Sequence, residues 1–287
     1  MITPRRFFHL ILVLVLTLQM LNAQSSLSPA EALRVLIPQN ERFQFIATCE
    51  GPEAMRLNPA SVASSRGINL HYNGLIDHGK LLEHDFSLQN FLFNVAYRRS
   101  LDHSTDYHLN EYTVTLGFGI PEVTFGASCN WLRSNLPHGS NGSILNLGVL
   151  ARPVDRLSVA GVKSNINQPE IGGTRLTGEN TLGVGVRPFA EADRLVLALD
   201  ASLPNRGRIK DDVTYRFGAD LLIIEGLRTY GVYEKCPGRT TDMFSLGLQL
   251  YIPNVDFSYD ARFDNGYQNG VAGVTLSTER KKTVFNP

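Results

Sequence analysis

A histidine two residues before a serine, in His138-Gly139-Ser140-Asn141-Gly142, is the pairing in this chain best suited to chemistry. Imidazole takes the proton of a serine hydroxyl as it attacks a carbonyl, provided that a third polar group fixes the ring's tautomer. The alternative is a solvated turn, because His138 follows Pro137 in a run of Gly, Ser and Asn that reads as a loop. Seven charges form the other constellation: Arg98, Asp200, Arg216, Asp220, Asp256, Asp260 and Arg262. They either line a lumen and select or gate a solute, or satisfy one another as ion pairs. His71, His84, His103 and His108 do not pair with Asp, Glu or Cys at ligand spacing, so no metal site is expected. Cys49, Cys129 and Cys236 are odd in number and far apart, which indicates neither a disulfide framework nor a zinc knuckle. No cofactor is implied: Gly117-x-Gly119 and Gly183-x-Gly185 sit inside alternating segments and do not open a helix.

The elements that carry these residues have a period of two. Tyr112, Val114, Leu116, Phe118 and Ile120 alternate with Thr113, Thr115, Gly117 and Gly119, and Val123, Phe125, Ala127, Cys129 and Trp131 alternate with Thr124, Gly126, Ser128 and Asn130. The pattern returns at 195–203, 215–223, 244–252 and 255–263, always with one greasy face and one small or polar face. Segments of about nine to eleven residues suit a tilted strand crossing a bilayer. Tight joints at Pro121-Glu122, Arg152 to Asp155, Glu225-Gly226 and Pro253-Asn254 alternate with longer loops at 134–142, 165–173, 204–212 and 237–242. That asymmetry predicts short turns at one rim and long loops at the other. Tyr97, Tyr112, Trp131, Phe244 and Phe263 fall at loop-proximal strand ends and are expected to form an interfacial girdle.

The fold class expected is therefore all-β, an antiparallel transmembrane β-barrel of about 12 to 14 strands with a short N-terminal helical or irregular segment. Residues 1–23 read as a signal peptide, from Arg5-Arg6 through an apolar run to Ala23. Residues 24–66 read as a periplasmic or lumen-plugging segment, with a helix over 29–37 and a possible strand at 42–48. The barrel is expected over 67–279 and a tail over 280–287. Equal counts of basic and acidic residues, 27 each, argue against nucleic acid as a partner. The competing architecture is a soluble secreted β protein whose apolar faces form a core.

Two resemblances add to this. Leu57-Asn58-Pro59-Ala60 ahead of the first strand resembles the Asn-Pro-Ala element of the long-chain fatty-acid transporter superfamily. Leu145 to Gly148, Arg152-Pro153, Gly185 to Phe189 and Arg194 to Leu203 resemble the barrel-like region found ahead of signal-peptide-peptidase domains in some bacteria. No length remains for that protease domain, so no proteolysis is carried over. These resemblances imply an outer-membrane protein with a passive transport or scaffold role and no catalysis. Its partners would be outer-membrane lipid and either a small hydrophobic solute or an envelope protein. His138-Gly139-Ser140-Asn141-Gly142 resembles the His-x-Ser-Asn-Gly element of outer-membrane phospholipase A, which implies a hydrolase using Ser140 and His138. The position matching that family's orienting Asn is Arg152, and its upstream aromatic-Thr-Gln element is missing.

Overall fold

The structure is a computed structural model, and it describes residues 44–49, 54–64, 67–77, 80–90, 93–102, 107–135, 141–171, 174–189, 194–208, 211–237, 242–252, 255–264 and 267–277. The expected helix over 29–37, the signal peptide and the tail lie outside these residues.

Fourteen antiparallel strands close into a barrel. In chain order they are β1 (Asn69–Asp77), β2 (Lys80–Gln89), β3 (Phe93–Asp102), β4 (Tyr107–Ile120), β5 (Val123–Ser134), β6 (Asn141–Val154) and β7 (Leu157–Ser164). After a two-stranded ladder of β8 (Glu170–Ile171) and β9 (Thr174–Arg175) come β10 (Glu179–Val186), β11 (Leu195–Pro204), β12 (Thr214–Ile224) and β13 (Leu227–Lys235). β14 (Met243–Ile252), β15 (Val255–Asp264) and β16 (Tyr267–Ser277) complete the wall, and β16 pairs with β1 to leave no open edge. The chain enters β1 and leaves β16 at the rim that carries the tight turns 121–122, 155–156 and 225–226. Gly226 adopts φ +83° in one of them, a conformation that suits glycine. Neighbouring hairpins are stitched along this rim by backbone bonds from Arg152 to Glu122, Leu222 to Arg194 and Tyr251 to Gly226. The longer connections after β7 and β11 leave from strand ends at the opposite rim, whereas the one after β10 leaves from the turn rim.

The side-chain polarity is that of a barrel in lipid. On β4, Tyr112, Val114, Leu116, Phe118 and Ile120 are exposed on the outside, while Glu111, Thr113 and Thr115 point inward and are buried. β5 repeats this with Phe125 and Trp131 outside and Thr124, Ser128 and Asn130 inside. Exposed Leu182, Val184, Leu199, Phe217, Leu221, Leu246 and Phe257 carry the apolar belt around the far side. In a soluble barrel the greasy face is the core; here it is the outer surface, so the barrel spans a bilayer. The expected aromatics sit in register rows: Tyr97 opposite Tyr112 opposite Trp131, and Phe244 opposite Phe263. Phe86 extends the first row, opposite Tyr97.

Residues 44–49 and 54–64 occupy the lumen. Residues 44–49 form a turn closed by Thr48 and Cys49 amides donating to the Phe45 carbonyl, so the described part of the stretch considered as a strand at 42–48 is a turn. A helical turn, α1 (Ala54–Leu57), and a 3₁₀ helix at Pro59–Ser64 follow, and the latter packs on β4, β5 and β6. Phe45, Ile46, Ala47, Met55, Ala60 and Val62 are all buried.

Candidate functional site

The candidate site is the lumen and the segment that occupies it. Asn58 organises that segment. Its Oδ1 accepts from the Ala60 amide at 3.0 Å and so caps the 3₁₀ helix. Its Nδ2 donates to the Ile46 carbonyl at 2.9 Å and to Val149 of the wall at 3.3 Å. The Ile46 amide in turn donates to Asp200 on β11 at 3.1 Å.

The wall makes room through inward glycines. A Cβ on Gly126 would overlap the Pro59 carbonyl, one on Gly148 would strike Asn58 Oδ1, and one on Gly218 would strike the Phe45 ring. Gly183 and Gly185 clear Ile46 and Thr48 in the same way. Glycine in these strands therefore serves close approach of the plug backbone.

Charge fixes the plug on the β2–β4 side. Arg56, from α1, hydrogen-bonds Asp85 and lies 3.8 Å from Glu111. Arg98 joins the same acids, 3.3 Å from Glu83, 3.3 Å from Asp85 and 3.6 Å from Glu111. Ser100 donates to Glu83 at 3.0 Å and Thr113 to Glu111 at 3.3 Å. All five charged side chains are between 1% and 4% exposed, so two cations and three carboxylates share a site nearly free of water. Such a cluster holds together only while each charge has partners.

The seven charges singled out in the sequence do not converge. Arg98 belongs to the cluster just described. Asp200 and Arg216 face each other across β11 and β12 at 4.0 Å, and Arg216 also reaches Glu234 at 3.4 Å and stacks over Phe45 at 5.1 Å. Asp220 pairs with Arg228 at 2.5 Å. Asp260 accepts from the Tyr230 hydroxyl, which reaches it across Gly247. Asp256 is buried on the inward face of β15, and Arg262 follows on the same strand, with a side chain outside the described residues. Apart from Asp200, which is 3% exposed, the charges on β11–β13 keep more water than the β2–β4 cluster: Arg216 is 16%, Glu234 24% and Asp220 32% exposed.

His138 and Ser140 lie outside the described residues, so the geometry of that pair is not on view. Among the described residues no group of His, Cys, Asp and Glu could hold a metal. Sequence reading missed Arg56, Glu83, Asp85 and Glu111. The signal for two of them was present, because Glu83, Asp85, Ser87 and Gln89 alternate with Leu82, His84, Phe86 and Leu88 along β2. Arg56 carried no periodic signal. At the long-loop rim, Ile171 and Leu176 of the β7–β10 connection pack on inward Leu109 and Leu132, which seals part of that mouth.

No family model matches the chain, and no curated protein matches it. Solved structures do. The CymD monoaromatic hydrocarbon channel is similar over 80% of this chain and 94% of its own, with a TM-score of 0.54 and 12% identity. A TodX monoaromatic hydrocarbon channel lacking the S2 segment is similar over 80% and 95%, with a TM-score of 0.53 and 12% identity. At this identity the likeness concerns the fold alone, and this chain shares the closed-barrel fold of those channels.

Proposed function

We propose that this chain is an outer-membrane barrel for passive transport, closed at rest by its own residues 44–49 and 54–64. The observation that carries the reading is the lumen's construction: a polar wall, with glycines cleared for a separable N-terminal segment that is tied down by side-chain contacts. Fourteen strands enclose a lumen wider than the one that wall side chains fill in barrels of about eight strands, so it takes a separate piece of chain to close it. The link to the fatty-acid transporter superfamily belongs to this proposal and is supported by Asn58-Pro59-Ala60, whose Asn caps the plug helix. The neighbours conduct monoaromatic hydrocarbons, which makes a small hydrophobic solute the first cargo class to try here.

The dry anchoring of Arg56 favours a second reading, a permanently closed scaffold. Reconstitution into planar bilayers separates the two. Transport predicts that the chain lacking residues 44–64 conducts steadily and that the intact chain opens rarely. If the shortened barrel inserts and stays silent, the scaffold reading replaces transport.

A further inference from the structure

We propose that the outward face of β2–β5, at the long-loop rim, binds the phosphorylated headgroup of a lipid in the facing leaflet. Four residues lie side by side there in register: His84 opposite Arg99, Arg99 opposite Asn110, and Asn110 opposite Arg133. Immediately below runs the aromatic row Phe86, Tyr97, Tyr112 and Trp131, which marks where hydrocarbon gives way to headgroups. The basic row therefore sits at headgroup depth.

Its chemistry is that of a phosphate site. Arg99 and Arg133 are exposed, and among the described residues neither has an ion-pair partner. Adjacent strands are about 4.8 Å apart, so the two guanidinium stems stand roughly 10 Å apart with Asn110 between them. The Tyr97 hydroxyl donates to Asn110 Oδ1 at 2.9 Å, which turns the amide's NH2, its donor end, to the ligand side. Arginine, amide and arginine then offer donors only, the complement of phosphate oxygens.

Segregation of charge strengthens the case. Glu83, Asp85 and Glu111 all point into the lumen, and the described outward residues of β2–β5 include His84, Arg99, His108 and Arg133 but no carboxylate. Elsewhere on the long-loop half of the outer face the charges are sparse, with Lys163 on β7 and Lys235 on β13. A surface that merely needed solubility at headgroup depth would spread its cations around the ring. This one gathers them over four strands, enough for one multiply phosphorylated lipid.

The chain's one tryptophan, Trp131, sits two residues from Arg133 on the same outward face and reports on the site. The full chain in neutral detergent is titrated with diphosphorylated lipid A in mixed micelles while Trp131 emission is followed. Parallel titrations use the same lipid without phosphates, and inorganic phosphate. The expected result is a saturable emission change with the phosphorylated lipid alone. R99Q/R133Q is expected to weaken it at least about tenfold, whereas K163Q/K235Q leaves it unchanged. Should R99Q/R133Q fail to refold, the wild-type affinity must fall about tenfold from 50 to 500 mM salt. An equal response to the phosphate-free lipid, saturation by inorganic phosphate at the same concentration, or an unaffected R99Q/R133Q would each overturn the proposal. None of these outcomes bears on transport.

Discussion

Replacing Arg56 by Met tests how the plug is held. Arg56 is the plug's contribution to a site of five charges, and its removal changes the formal sum from two cations against three carboxylates to one against three. Asp85 and Glu111 then remain buried with Arg98 alone, about 4% exposed. Removing one partner from a buried ion pair costs about 3–5 kcal/mol. The barrel wall is untouched by the change, so the loss falls on docking of residues 44–64. At about 1.4 kcal/mol per decade, the undocked population rises about 10²- to 10⁴-fold. Cys49 supplies the readout, since its thiol lies in the plug and is 1% exposed. In a background where Cys129 and Cys236 are Ser, the rate of maleimide labelling at Cys49 follows the opening equilibrium, provided that reclosing outpaces labelling. R56M is expected to label at least about 100-fold faster than the parent, with the folded barrel's gel mobility unchanged. Equal labelling rates would refute the reasoning, because they would mean that the ionic cluster does not hold the plug.

Three further outcomes follow from the packing. Gly126→Ala sets a methyl group on the Pro59 carbonyl, so it should cost about 1–3 kcal/mol of plug docking and speed Cys49 labelling while barrel unfolding by denaturant stays the same. Asp200→Ala removes the acceptor of the Ile46 amide, and hydrogen exchange at that amide should rise at least about tenfold, as loss of a bond to a charged group worth about 1.5–3 kcal/mol requires. Leu116→Arg places a charge on the lipid face of β4, midway along its apolar run from Tyr112 to Ile120, and should destabilise the barrel in vesicles by about 2–4 kcal/mol. Thr115→Ser, one residue away but facing the lumen, should be nearly silent by the same denaturation assay.

The wall was legible in the sequence because its pattern is redundant. β4 and β5 each alternate without a break over ten or more residues, and the tight joint at Pro121-Glu122 gives the register that pairs Ile120 with Val123. β2 was harder to read, since Lys80-Leu81-Leu82 blurs its start and its inward face carries Glu83 and Asp85 where most strands carry Gly, Ser or Thr. The plug was legible only as part of the segment 24–66, which lacks the alternation of the strands that follow it. Nothing local says that Arg56 belongs with Asp85 and Glu111, because 29 residues or more separate them and only barrel closure brings them together. The inward glycines illustrate the same limit: their positions show in the sequence, but the Pro59 and Asn58 atoms they make room for do not.

The most direct test of the central claim, a membrane-spanning closed barrel, is fractionation of cells expressing the full chain, followed by gels of the outer-membrane fraction with and without boiling. The account predicts a band in that fraction which needs detergent for extraction and shifts in mobility on heating. Recovery in the soluble fraction, with one mobility before and after boiling, would contradict it.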